Sequence, residues 1–432
     1  MDLSERLEFF LTEIGSHPAG IDLDHEIAKL GAAMSEGLTH DNAPLPMLAS
    51  YIPATAEQPH NRDAVVIDAG GTNLRIARVA FDAAGRPAIK YLEVYPMPGL
   101  RAPIPAAGMF DEMASYIAPL VADCPQIGFC FSYVFEPTPM RDGVASALCK
   151  EIDVRGIEGL FLGRELKAAL GRKGLTEPIR CVILNDTVAV MLGGLAAGGC
   201  ETGLVLGTGL NACYAERTEN ITKLPRGIYA APNMIINMEC GLYAGFPRSL
   251  SEQEVDARSL VPGDHLFEKQ ISGAYFGPII TATLQQACRA GLFSAGFSDR
   301  LARSDPPDLR AITRHIERRE LDTNPCTQLI GGNDSDRLMF DIILDKLYER
   351  AARMLAVLLG TLALQTGAGR SADAPFKVCV EGSTFHKSPL LIKHLQTLFA
   401  DYWAAKKGIY IKTTSTENVT LMGSALAALM DD

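Results

Sequence analysis

Ten cysteines occur without one Cys-x-x-Cys pair and without a recurring spacing, which argues against a disulfide framework and against a structural zinc site. A reducing cytosol is the expected setting. Positive charge is scarce: 40 Lys and Arg stand against 51 Asp and Glu, a formal net charge of -11, and the basic residues are scattered. That leaves no electrostatic footprint for a polyphosphate backbone, so nucleic acid is not an expected partner. The densest basic stretch, Arg314 to Arg319, is interrupted by Ile316 and Glu317 and reads as a solvated helix face with no function. Long apolar runs are missing too. The most apolar, Met354 to Leu364, is about half of the roughly 20 residues a membrane span needs, and Gly360 and Thr361 interrupt it. A buried core helix is expected there, and no membrane partner. The start, Met1-Asp2-Leu3-Ser4-Glu5, has neither the basic n-region nor the apolar h-region of a secretory signal, so the predicted location is cytoplasmic.

What is present is ample material for a core. The chain has 432 residues, 47% hydrophobic and 21% charged, enough for two or three packed domains and far from the composition of disorder. Leu3, Leu7, Phe10 and Ile14 recur at helical spacing. The first sixty residues read as helices followed by a loop holding Pro44, Pro46, Pro53 and Pro59. Regular strands begin after it: Ala64 to Ile67, a turn from Asp68 to Asn73, then Leu74 to Phe81. The same layout returns with Gly203 to Leu206, a turn from Gly207 to Asn211, and Ala212 to Glu216. Two copies of such a hairpin predict a duplicated unit, two similar lobes facing one cleft. Further strands, Ile127 to Phe131 and Cys181 to Leu184, alternate with helical patterns, as in an α/β protein. Residues 291 to 335, with Pro306, Pro307 and Pro325, show no readable pattern.

A glycine-rich turn lets backbone N–H groups approach a single phosphate, because no side chain blocks them. Both hairpin turns meet this requirement, although an ordinary turn that needs positive φ would look the same. The first turn adds Asp68, a carboxylate suited to hold a magnesium ion through water; the second adds the Thr208 hydroxyl. Neither a G-x-x-x-x-G-K-[ST] loop nor an H-R-D triplet occurs, so the P-loop and protein-kinase routes to phosphoryl transfer are unsupported. Asn185 and Asp186 close an apolar strand ahead of a helix predicted over Thr187 to Gly194. Asp186 could be the helix N-cap; between two phosphate turns it is also the candidate base that takes an alcohol proton.

Six ordered segments carry a family resemblance: Leu45-Pro-Met-Leu, Asp68-Ala-Gly-Gly-Thr-Asn73, Leu184-Asn-Asp-Thr187, Gly207-Thr-Gly-Leu-Asn-Ala-Cys-Tyr214, Asn237-Met-Glu239 and Pro262 through Gly273. Along nearly its whole length the chain resembles the hexokinase family. The resemblance implies a two-lobed, actin-like (ribonuclease H-like) α/β ATPase fold with an interlobe active-site cleft. It implies transfer of a phosphoryl group from ATP, with Mg2+, to the 6-hydroxyl of glucose or a related hexose such as mannose or fructose, at the start of glycolysis. The lobes expected are 61–186 with 417–432, and 1–60 with 187–416. Carried over residue by residue, the sugar contacts are Ser132, Lys150, Asn185, Asp186, Asn211, Glu239 and Glu268, with Asp186 and Lys150 catalytic. The nucleotide contacts are Asp68, Gly70, Gly71, Thr72 and Asn73 on the first turn and Gly207, Thr208 and Gly209 on the second. Gly382 and Ser383 resemble the adenosine segment, and Gly423 to Ala425 the terminal helix that returns to the first lobe.

Four departures bear on specificity. Cys149 stands where threonine usually precedes the sugar-binding lysine, and a thiol is a weak donor. Phe131-Ser-Tyr-Val134 lacks the usual proline, Cys240 replaces a common aromatic residue, and Glu381 replaces an aspartate. Two other functions fit the same outline. A non-catalytic hexose sensor would bind sugar without releasing ADP. An actin-like ATPase would hydrolyse ATP without sugar, and would leave the sugar contacts unexplained. A third, the zinc-containing bacterial sugar kinases, would require a tight cysteine cluster that the sequence lacks.

Overall fold

The structure is a computed structural model and describes residues 3–55, 57–146, 148, 152–175, 178–317 and 322–430. Two expected site positions, Cys149 and Lys150, lie outside the described residues.

Two mixed sheets share one plan. In the first, the strands lie in the order Pro87–Pro96, Asn73–Phe81, Arg62–Ala69, Gln126–Phe131 and Arg180–Leu184; the first three form an antiparallel meander and the last two run parallel to Arg62–Ala69. The second repeats this with Asn233–Asn237, Leu210–Arg217, Thr202–Leu206, Phe376–Glu381 and Ile411–Thr414, and gains a short edge strand, Leu48–Ala49. The echo between the two hairpins is therefore the visible part of a duplicated five-stranded unit. The strands run one or two residues beyond their apolar runs, so Asp68 belongs to a strand and not to the turn.

Side chains alternate across each sheet, as the pleat requires. Val65, Ile67 and Ala69 pack with the helices Ala106–Val121 and Leu162–Arg172 on one face, while Ala64 and Val66 face the other way. In the second sheet, Leu204, Leu206, Ala212 and Tyr214 join the core built by the helices Leu23–Thr39 and Asp334–Thr366. Between the two sheets lie the helices Asp186–Ala196 and Val419–Leu429. These two helices touch backbone to backbone: a Cβ on Gly193 would sit 2.1 Å from Val419 O, and one on Gly423 would sit 1.8 Å from Ala189 O. Only glycine allows that approach. The terminal helix packs on Arg62–Ala69 and Gln126–Phe131, so the end of the chain returns to the first sheet.

The apolar run Met354 to Leu364, buried as far as Ala363, belongs to a 33-residue helix capped by Asn333, whose Oδ1 accepts the Asp336 N–H at 3.1 Å, and stopped at Gly367 with φ 70°. Among the described residues no helix is long and apolar enough to cross a membrane. Among the described residues of 291 to 335, unreadable in the sequence, are three short helices, Ala295–Arg303, Leu309–Ile316 and Pro325–Ile330, ahead of the long helix that starts at Asp334. The prolines that broke the pattern sit between them or at the first helical position, where a missing N–H costs nothing.

Candidate active site

The carboxyl ends of parallel strands are where α/β sheets bind their ligands. Asp68 and Leu184 lie in register on either side of Cys130, which puts their backbones roughly 10 Å apart, two strand spacings. One step past Leu184 the chain turns into the Asp186–Ala196 helix. Asn185 caps it, its Oδ1 accepting the Thr187 N–H at 2.9 Å, so the N-cap reading of Asp186 is corrected: Asp186 is the first helical residue. Its charge raises the pKa of the Cys130 thiol from the first sheet and of the Cys213 thiol and the Glu239 carboxyl from the second, each behind burial as the chief cause. The first turn of that helix also touches the second sheet, where Cys213 Sγ donates to Thr187 O at 3.1 Å.

Asn211, Asn237 and Glu239 form one hydrogen-bonded group. Asn211 Nδ2 donates to Asn237 Oδ1 at 2.7 Å and to Glu239 Oε1 at 3.3 Å, and Asn237 Nδ2 donates to the same Oε1 at 2.8 Å. Glu239 is held at φ 54°, a left-handed backbone that costs a non-glycine residue on the order of 1 kcal/mol or more. Burial raises its pKa above the ordinary carboxyl value. The Asp186 and Glu268 charges push the same way, against the Asn237 hydrogen bond and the His265 charge. Glu268 is tied to the second turn, its Oε2 accepting the Leu210 N–H at 3.0 Å. Asp186, Glu239 and Glu268 thus share one neighbourhood rich in hydrogen-bonding groups. Asn237 belongs to it although it was only part of a quoted motif.

The turn glycines do not serve the purpose of ordinary hairpin turns. None of Gly70, Gly71, Gly207 and Gly209 takes positive φ; what they provide is room. A Cβ on Gly209 would meet Glu268 Oε2 at 2.6 Å, whereas one on Gly71 would meet nothing within 4 Å. Thr72 and Asn73 are exposed on the open side of the first turn. Asp68 is buried and paired with Arg75, whose Nε donates to Oδ2 at 2.7 Å and whose Nη2 also reaches that oxygen. Arg75 in turn donates to Thr420 Oγ1 at 2.7 Å on the terminal helix. The hairpin register places Arg75 directly across from Asp68, a cross-strand pair the sequence analysis did not exploit.

Gly382 lies against the second turn, its Cα 3.7 Å from where a Cβ on Gly207 would be, and Thr384 Oγ1 donates to Gly207 O at 2.8 Å. A pocket of about 460 Å³ opens there, lined among others by Thr208, Gly273, Arg310, Arg314, Ser383 and Lys387. Arg314 was expected to be an idle solvated residue. It is exposed but faces this pocket from the Leu309–Ile316 helix, a helix the broken pattern of residues 291 to 335 had concealed.

Comparison with known proteins identifies the family. Two family patterns, each described as hexokinase, match residues 21–195 and 201–430. Hexokinase-1 of Schizosaccharomyces pombe is 28% identical over 420 residues, covering 92% of this chain and 85% of that protein. Hexokinase-3 of Mus musculus is 32% identical over 281 residues, 62% of this chain but 30% of the mouse protein; the matched stretch thus spans under a third of that relative. A solved hexokinase of Schistosoma mansoni, complexed with glucose, superposes with a TM-score of 0.77 at 20% identity, covering 99% of both chains. The fold is the two-lobed, actin-like sugar-kinase fold, and the chain belongs to the hexokinase family.

Proposed function

We propose that the chain transfers the terminal phosphoryl group of ATP to the 6-hydroxyl of a hexose, in the reducing environment its nine described free cysteines favour. The observation that carries this is Asp186: it opens a helix whose cap is Asn185, and its charge acts on Glu239, which is hydrogen-bonded to Asn211 and Asn237 and also feels the Glu268 charge. A hexose offers only hydroxyls, so a site with many paired donors and acceptors suits it. In this reading Asn185, Asn211, Glu239, Glu268 and Ser132 orient the sugar, and Asp186 accepts the 6-hydroxyl proton as that oxygen attacks; Lys150, outside the described residues, keeps the sugar-binding and catalytic role that the family resemblance implies. Gly70, Gly71, Thr72 and Asn73, with Gly207, Thr208 and Gly209, turn N–H groups and hydroxyls on the phosphates. Gly382, Ser383 and the pocket beyond Thr208 take the nucleoside.

Among the described residues no cluster of three or more His, Cys, Asp or Glu side chains could cage a metal. Asp68, buried and paired with Arg75, would hold Mg2+ through water, as suits an ion that keeps several of its waters and is bound through one or two carboxylates plus substrate phosphates. When bound, that ion supplies neutralisation of phosphate charge. The lobes that close on the sugar are residues 61–186 with 417–432 and residues 1–60 with 187–416, and closure excludes water as a competing acceptor.

The test is ADP release measured with glucose, fructose and mannose. Release that depends on a hexose supports the reading. Sugar binding without ADP release would make the chain a sensor, and ATP hydrolysis indifferent to sugar would make it an actin-like ATPase; either outcome overturns the proposal.

A further inference from the structure

Tyr133 is buried, 4% exposed, its ring tilted against Phe131 at 5.1 Å. Its hydroxyl donates to two carbonyls of the first turn, Gly70 O at 2.9 Å and Gly71 O at 3.2 Å. The residue before it, Ser132, donates its N–H to Ala69 O at 3.1 Å, and Met97 N–H donates to Thr72 O at 3.0 Å. Four successive carbonyls, from Ala69 to Thr72, are thus held by donors. In a planar trans peptide the C=O of one residue points opposite to the N–H of the next. Holding the Gly70 and Gly71 carbonyls on Tyr133 therefore aims the Gly71 and Thr72 N–H groups the other way, away from the Tyr133 hydroxyl. Successive N–H groups turned one way form an anion-binding concavity.

The second turn uses the same device with different parts. Gly207 O accepts the Gly273 N–H at 2.8 Å and Thr384 Oγ1 at 2.8 Å, and Thr208 O accepts the Ala274 N–H at 3.3 Å. There the carbonyls are held mainly by backbone. In the first turn, two of them depend on one side-chain hydroxyl.

We propose that Tyr133 is a positioning residue that sets the first turn for phosphate and couples it to the sugar segment, since it immediately follows Ser132. This rests on the kinase reading above. Without the hydroxyl the peptides at Gly70 and Gly71 rotate more freely, and a donor array that must already be aimed loses part of its effect. A hexose that orders the Ser132 segment would likewise tighten the turn, raising the affinity for nucleotide.

The test is Tyr133→Phe, which keeps the ring and removes only the hydroxyl. The expected result is a KM for ATP raised about three- to tenfold, the size of a lost hydrogen bond, with a lower kcat and a hexose KM within about twofold of wild type. In calorimetry with a non-hydrolysable ATP analogue and Mg2+, hexose should strengthen binding to the wild type and do so less for Tyr133→Phe. Unchanged ATP kinetics and analogue affinity overturn the proposal. So does a parallel rise of both KM values with a fall in melting temperature, which would mark a merely structural residue. If the wild type shows no hexose-dependent ADP release, the kinase reading fails, while analogue binding still decides the role of Tyr133.

Discussion

Asn185 caps the helix that Asp186 begins: its Oδ1 accepts the Thr187 N–H at 2.9 Å. The adjacent pair divides two tasks, the cap falling to Asn185 and not to the Asp186 carboxylate. Asp186→Ala should therefore fold normally and still bind hexose, yet lose on the order of 10² to 10⁴ in turnover. Equilibrium sugar binding and steady-state rates check this, and near-normal turnover would remove Asp186 from the reaction. Asn185→Ala should instead destabilise the protein by about 1 kcal/mol through the lost cap and weaken sugar binding as well.

Glu239 gives a dependence on pH whose sign follows from its raised pKa. Burial favours its protonated form in the folded state, so its contribution to stability is complete below the ordinary carboxyl value of about 4.3 and is lost as pH rises through the higher folded value. Asp186 and Glu268 add to the shift, and Asn237 and His265 oppose it. Glu239→Gln cannot ionise. Its melting temperature should exceed that of the wild type near neutral pH, with the gap closing as pH falls toward about 4, while hexose affinity drops. Melting curves across that range, with and without sugar, are the measurement; a gap independent of pH would contradict the assignment.

Gly209 separates the second turn from Glu268. Because a Cβ there would meet Glu268 Oε2 at 2.6 Å, Gly209→Ala must push the carboxylate off the Leu210 N–H. The backbone at this position does not use positive φ, so the substitution adds no left-handed strain. The expected outcome is a roughly tenfold or greater loss of hexose affinity, with the melting temperature nearly unchanged. An unchanged KM for hexose would show that Glu268 does not hold the sugar.

Much of this was legible in the sequence because it is local. Asp68 through Asn73 and Gly207 through Asn211 each hold a turn and the strand ends beside it within six residues, and the strands around them are short apolar runs bounded by polar ones. What could not be read joins distant positions. Arg310 and Arg314 reach the pocket beside Thr208 only because the Leu309–Ile316 helix packs there. That helix is eight residues long and bordered by Pro306 and Pro307, too short for its period to stand out. Tyr133 is an ordinary aromatic core residue by pattern, and only the coordinates show its hydroxyl on Gly70 and Gly71. Whether the turn glycines serve φ or space is likewise invisible until the neighbours are known.

Arg75 joins three elements through one guanidinium. It neutralises buried Asp68 across the hairpin and donates to Thr420 at the start of the Val419–Leu429 helix. Arg75→Met keeps most of the aliphatic stem but leaves the Asp68 carboxylate buried without its partner. Breaking a buried pair costs about 3 to 5 kcal/mol; the arginine side chain is 32% exposed, so water offsets part of this and a loss of roughly 2 kcal/mol is expected. Arg75→Lys should recover little, because an ammonium cannot serve Asp68 and Thr420 with the same planar fork. Denaturant unfolding checks the magnitude. If stability falls as described but recovers in Arg75→Met with Asp68→Asn, the penalty belongs to the stranded charge; if the double variant stays as unstable as the single one, the lost tie to the terminal helix is what matters.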